Sequence, residues 1–170
     1  MSEQTKMPEF YGTKRIAAKL MTRAEYNVFR GWELPTNENG ADEGYLVEYL
    51  DGGKPNVKGY AGYVSWSPKE QFENAYQPVN AMSFGHAVVA LKEGKKVARA
   101  GWNGKGMFLY YVPANSYPAG NNLLGTMKGM FPDDMVPYGA YIAMKTVQNN
   151  VVPWLASQTD ILADDWSVVE

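Results

Sequence analysis

The chain has no cysteine and a single histidine, His86, among 170 residues. Without cysteine there are no disulfides, no thiolate metal sites and no cysteine nucleophile. One histidine excludes a zinc site built from several imidazoles, and any Ser-His-Asp triad would hang on that residue alone. No GxSxG motif supplies a serine nucleophile to go with it. An excess of one charge is missing too: 16 Lys and Arg stand against 18 Asp and Glu, a formal charge of -2. Proteins that grip long nucleic acid usually carry a basic excess, because phosphate contacts dominate their affinity. The balance here argues against that class and leaves room for a small anionic ligand, which needs only one or two local cations. No apolar run reaches the about 18 residues of a membrane-spanning helix. The opening stretch MSEQTKMPEF lacks the apolar core of a signal peptide. The expectation is a soluble, cytosolic chain.

What is present in excess is glycine and aromatic rings: 17 Gly, 12 Tyr, six Phe and five Trp. Such a composition suits either a small antiparallel fold with an aromatic core or a ligand site made of ring faces and bare backbone. Charge is spread unevenly, with nine basic and eleven acidic residues in 1–80 and seven of each in 81–170. A break near Gln77-Pro78-Val79-Asn80 divides the chain into a module over 1–80 and another over 81–170.

The first module opens with a polar tail. MTRAEYNVFRGW then predicts a short helix, with Thr22 as N-cap, Glu25 completing a capping box and Gly31 at the end. Pro35–Gly44 is a loop by composition. YLVEYL and YAGYVSW predict a pair of strands joined through DGGKPN. Ser67-Pro68-Lys69-Glu70 predicts a second helix capped by Ser67, with Phe72, Ala75 and Tyr76 facing inward.

In the second module SFGHAVVALKEG predicts a helix that presents Phe84, Ala87, Val88 and Leu91, with Gly94 at its stop. KKVARA, MFLYYV, YIAMKTV, VVPWL and WSVV predict strands, and SQTDILADD a short helix capped by Ser157 or Thr159. Pro113–Gly139 reads as a long loop. The predicted fold class is α+β: an N-terminal helix packed on a small antiparallel sheet, a short helix before the last strand, and a small α+β module in front.

Two segments carry candidate chemistry. In Arg99-Ala-Gly-Trp-Asn-Gly-Lys-Gly-Met-Phe108, three glycines let the backbone approach a ligand. Trp102 and Phe108 offer faces for a base, and Arg99 and Lys105 offer charge for a pyrophosphate. A hairpin turn with a buried Trp fits the same spacing. In Val152-Pro-Trp-Leu-Ala-Ser-Gln-Thr-Asp160, Trp154 ends a strand while Ser157, Thr159 and Asp160 open a helix whose N–H groups favour an anion. Asp160 is also suited to ribose hydroxyls, and a capped helix beside a core Trp is the plain alternative. His86 sits where a capping Glu would sit, three residues after Ser83. The pairs Asp42-Glu43, Asp133-Asp134 and Asp164-Asp165 read as solvated carboxylates, with no spacing that supports a metal cage. Tyr110, Tyr111, Tyr117, Tyr138 and Tyr141 cluster about the long loop and suit a pocket, a subunit interface or a core rim.

The segments MSFGHAVVALKEGKKVARAGWNGKGMFL and MKTVQNNVVPWLASQTDILADDWSVV strongly resemble the Thoeris anti-defence 2 family of phage proteins. The resemblance implies a small α+β sponge without enzymatic activity, acting in the cytoplasm of the bacterial host. Such a sponge holds a glycocyclic ADP-ribose signal intact and away from its effector. It also implies a homo-oligomer, typically a tetramer, with ligand pockets at subunit interfaces. Some members hold cyclic oligonucleotides of the CBASS system. By position it assigns ligand-binding roles to Trp102, Asn103, Phe108, Trp154, Ser157 and Asp160, and to Arg99 as the motif's basic residue; Lys105 is added from the reading of the loop. No catalytic residue, metal or cofactor is implied. His86 and Ala143 stand where the family pattern has acidic residues. A nucleotide hydrolase using Asp160 or His86, and a virion or interaction module, are the competing readings. The first module resembles an uncharacterised module of phage proteins through MTRAEYNVFRGW, DEGYLVEYLDGG and GYVSWSPKEQFENAY, which implies no function.

Overall fold

A computed structural model describes residues 7–121 and 126–170. The chain divides into two compact units, Met1–Tyr76 and Gln77–Glu170. The first six residues of the polar tail and residues 122–125 of the long connection lie outside the described residues. Among the described residues no helix is long and apolar enough to cross a membrane.

The first unit holds strands β1 (Ile16–Leu20), β2 (Gly44–Tyr49) and β3 (Val64–Pro68), antiparallel in the order β1-β2-β3. Helix α1 (Arg23–Arg30) begins as predicted. Thr22 Oγ1 accepts from the Glu25 N–H, Glu25 answers the Thr22 N–H, and Gly31 closes the helix at φ 68°. Tyr26 of α1 is buried with Leu46 and Val64 on one face of the sheet. Side chains alternate along a strand, so Tyr45 points the other way, where Phe72 of α2 (Lys69–Ala75) stacks on it at 3.9 Å. The sheet therefore has a helix on each face.

Four expectations for this unit are corrected. β1 falls in what reads as polar tail: four of its five residues are exposed, so it lacks the half-buried alternation that marks a strand. β3 begins at Val64, not Tyr60, because Glu48 draws the N–H groups of Ala61 and Gly62 onto its carboxylate before pairing starts. Ser67 does not cap α2. Ser67 and Pro68 still pair with Tyr45 and Gly44 in the sheet, so Pro68 takes the cap position without a side-chain bond. On α2 itself Phe72 and Tyr76 are half-buried, but Ala75 is exposed.

The second unit is built on strands β4 (Lys96–Arg99), β5 (Phe108–Val112), β8 (Tyr141–Lys145), β9 (Val151–Pro153) and β10 (Trp166–Val169). They form one antiparallel sheet in the order β10-β4-β5-β8-β9. Helix α3 (Phe84–Lys92) buries Ala87, Ala90 and Leu91 against Val97, Leu109 and Trp166. His86 Nδ1 lies 2.9 Å from Ser83 Oγ at the start of α3, the place expected for it. Helix α4 (Gln158–Ile161) precedes the last strand, also as expected. The connection Pro113–Gly139 is not plain loop. It contains a two-stranded ribbon, β6 (Asn115–Pro118) paired with β7 (Met135–Tyr138). Prolines at both strands hid it, since Pro is tolerated only on an edge or ribbon.

Candidate functional site

Asp160 organises the end of the sheet where α4 begins. Its carboxylate accepts from Ser157 Oγ at 2.6 Å, the Ser157 N–H at 3.2 Å, Arg99 Nη1 at 2.9 Å and Trp102 Nε1 at 3.3 Å. Its backbone carbonyl accepts from Trp166 Nε1 at 3.0 Å. The residue is only 9% exposed. Burial by itself would raise its pKa. The bonds from Ser157, Arg99 and Trp102 outweigh that and hold the carboxyl at about 2. The local reason is a capping box: Ser157 Oγ takes the Asp160 N–H while Asp160 takes the Ser157 N–H.

Arg99 reaches this carboxylate from β4 and turns its Nε to Asp165 Oδ1 at 2.7 Å. Both carboxylates raise the arginine's pKa, Asp165 the more. Asp165 is held below its ordinary value, first by Arg99 and also by the Gly101 N–H, which donates at 2.7 Å. The reading of Asp164-Asp165 as a solvated pair is thus corrected for Asp165. Trp166 stands opposite Arg99 in the β10–β4 register, which carries the preceding Asp165 to the guanidinium. No local spacing announces a pair so distant in sequence.

Above this network stand three tryptophan rings. Trp166 is fully buried; Trp102 and Trp154 are half-buried and pack against the same core. Trp102 meets Trp154 edge-on at 6.4 Å and Trp166 at 5.5 Å, and Trp154 meets Trp166 at 6.0 Å. The structure therefore brings Arg99, Trp102, Trp154, Ser157 and Asp160 together. Asn103 and Lys105 are exposed in the loop between β4 and β5. Phe108 is elsewhere. Its neighbour Leu109 faces the core, so Phe108 points to the opposite face of the sheet, where Lys96 Nζ lies 5.4 Å from its ring centre. The eight residues singled out from sequence thus fall into one cluster, two loop positions and one residue across the sheet.

The tyrosine group divides as well. Tyr117 and Tyr138 meet edge-on at 5.7 Å on the β6–β7 ribbon. With Tyr141, Val112 and Pro113 they line a depression of about 280 Å³. Tyr110 lies beside Phe108. Asp133 and Asp134 sit at φ 56° and 52° at the foot of β7, where Asp134 Oδ1 accepts the Gly129 N–H.

Fold and site together define a small α+β domain with half-open tryptophan rings held by an ionised Asp–Arg–Asp network. Residues 82–169 match the model of the Thoeris anti-defense 2-like domain. By that match the chain belongs to the Thoeris anti-defense 2-like family. A relative, Thoeris anti-defense 2 of Bacillus phage SP01, is 41% identical over 88 residues, which cover 52% of this chain and 94% of that protein.

Proposed function

We propose that the second unit is a phage anti-defence module that binds a cyclic nucleotide immune signal, a glycocyclic ADP-ribose, and withholds it uncleaved from its effector inside the host cell. Family membership over residues 82–169 carries this reading. The half-open rings of Trp102 and Trp154 support it, since a base can stack on an exposed aromatic face. The polar cluster beneath them has a different role from the one its residue types suggest. Asp160 has both carboxylate oxygens engaged within the chain, so in this reading it fixes Trp102 and does not itself greet a ribose. Asn103 and Lys105, exposed beside Trp102, are the groups left to meet the ligand's hydroxyls and phosphates. Assembly into a homo-oligomer, with pockets completed by a second copy, belongs to the same proposal.

Calorimetry with purified protein and a glycocyclic ADP-ribose tests it. Binding at micromolar levels, intact nucleotide recovered afterwards, and a loss of over ~1 kcal/mol in Trp102→Ala or Trp154→Ala are expected. Absence of binding, with the signal still activating its effector, sinks the reading. Recovery of cleaved fragments would make the protein an enzyme instead.

A further inference from the structure

An exposed sheet edge is a row of unpaired N–H and C=O groups, and folded chains usually blunt it. Most edges of this chain are blunted. Val64 of β3 gives its N–H to Asn56 Oδ1 at 2.7 Å and takes Asn56 Nδ2 on its carbonyl at 2.8 Å, and Pro68 at the end of that strand has no N–H to offer. Residues 79–82 border β10: Met82 and Trp166 exchange both backbone bonds, and Val168 donates to the Val79 carbonyl. β9 is three residues long and ends in Pro153, and the ribbon strands β6 and β7 contain Pro118 and Pro137. β1 is the exception. On its inner side Met21 donates to the Gly44 carbonyl and Leu50 donates to that of Arg15. Bonding alternates along an antiparallel strand. Arg15, Ala17, Lys19 and Met21 therefore turn their backbone to β2, while Ile16, Ala18 and Leu20 turn theirs outward. No backbone or side-chain group among the described residues bonds these outward groups, and the strand holds no proline.

We infer that β1 is a docking edge for an extended acidic segment of a partner protein, which joins the sheet of the first unit as an added strand. In this mode main-chain bonds supply affinity and alternate side chains supply specificity. The register sets Ile16, Ala18 and Leu20 beside Tyr49, Val47 and Tyr45 at the margin of the α2 face, and Ala17 and Lys19 on the other face. An added strand should be apolar where it lies beside the first set, since Leu20 is 68% exposed. It should be acidic where it lies beside the second. Lys14, Arg15 and Lys19 are the charged side chains between residues 10 and 22, all of one sign. None of the three is in a salt bridge among the described residues. The carboxylates nearby are engaged: Glu48 accepts the N–H groups of Ala61 and Gly62, and Asp51 accepts that of Arg15. A second copy of β1 is the poorer occupant. Antiparallel pairing about Ala18 would bring Arg15 and Lys19 of both copies onto one face within diagonal reach, and like charges so placed destabilise a sheet. The edge belongs to the first unit and stands apart from the nucleotide reading of the second.

The experiment uses the full chain, isotope-labelled for NMR, and three short peptides blocked at both ends. One alternates valine and glutamate, one alternates valine and lysine, and one is the glutamate peptide with every valine amide methylated. Residues opposite one another in a sheet share a face, so the valine amides are the ones that meet Ile16, Ala18 and Leu20. The glutamate peptide at millimolar levels should shift the amide signals of those three residues and slow their hydrogen exchange, and the other two peptides should not. Lys19→Glu should weaken the glutamate peptide by about fivefold and admit the lysine peptide. Ala18→Pro removes an outward N–H that no native bond uses, so melting temperature should hold while glutamate-peptide binding is lost. Glycocyclic ADP-ribose binding should be the same in both variants. The inference is overturned if the glutamate peptide leaves the β1 signals unmoved, if the methylated peptide binds as well, or if Lys19→Glu binds the glutamate peptide normally. It is equally overturned if Ala18→Pro lowers the oligomeric mass by light scattering, which would give the edge to a second copy. Should Ala18→Pro unfold, Lys19→Glu and the methylated peptide still decide.

Discussion

The two sheets of this chain solve the same problem differently. The three-stranded sheet of the first unit is covered on both faces, by Tyr26 of α1 on one and by Phe72 of α2 on the other. The five-stranded sheet of the second unit has α3 and α4 on one face only, although its other face carries Phe108, Tyr110 and Tyr141. A sheet with helices on both sides satisfies its own apolar surface. A sheet with helices on one side only leaves the rings of its other face partly in solvent. The contrast extends to polar groups. On the covered side of the second sheet, Asp160 and Asp165 are matched donor for acceptor, and among the described residues no buried side-chain polar atom lacks a partner. The bare side holds two lysines without a carboxylate.

Breaking the covered side should have the largest effect. Asp160→Ala leaves Arg99 and Trp102 Nε1 without their shared acceptor and removes the half of the α4 capping box that takes the Ser157 N–H. A loss of about 2–3 kcal/mol is expected, the cost of leaving buried donors short of an acceptor while Asp165 still holds Arg99. Denaturant unfolding measures it, and peptide-resolved hydrogen exchange should place the loss in residues 77–170 alone. A loss below about 1 kcal/mol, the range of exposed pairs, would show that the network is looser than its geometry.

Acid provides the next test. The folded Asp160 carboxyl titrates at about 2 against an ordinary 3.8. A depressed carboxylate pKa means that the unfolded chain takes up the proton first as pH falls. Its contribution is therefore complete above pH 3.8 and disappears as pH falls through about 2. The shift corresponds to roughly 2 kcal/mol, and Asp165, displaced in the same direction, adds to it. Stability measured from pH 5 down to 2 should fall over that window, and the fall should shrink in Asp160→Asn.

The smallest effect is the one that tests the comparison most directly. Phe72→Ala uncovers one face of the first sheet and should cost about 1–2 kcal/mol through the lost ring stack and buried area. Phe108→Ala, on the uncovered face of the second, should cost less than about 1 kcal/mol, because that ring keeps part of its exposure in the folded state. Equal costs in the two variants would mean that the bare face is packed in solution after all.

Much of this was legible residue by residue. The capping box of Thr22 with Glu25 was visible, and the cap of α4 was narrowed to Ser157 or Thr159, because a cap and its partner lie within three residues and the bond is local. The five strands of the second sheet and helix α3 were also readable, since each carries a run of apolar residues with a turn signal after it. β1 was not, because an exposed edge strand has no buried face to imprint alternation. The β6–β7 ribbon was hidden by its prolines. Ser67 looked like a helix cap because sequence cannot show that sheet pairing extends through Pro68.

The candidate site was legible in its membership and not in its division. Local spacing singled out Arg99, Trp102, Trp154 and Asp160 as candidates beside a plain turn or capped-helix reading, the family resemblance favoured the ligand role, and composition closed cysteine and multi-histidine chemistry to the chain. Only the tertiary structure decided that Asp160 spends its charge on Arg99 and Trp102, and that Asp165 joins them. It also decided that Phe108 faces away toward Lys96 and Lys145. The physical reason is range. A cap is settled within one helical turn, whereas the face a strand residue takes, and the partner it meets, follow from a register set between segments that lie some 60 residues apart, as Arg99 and Asp160 do.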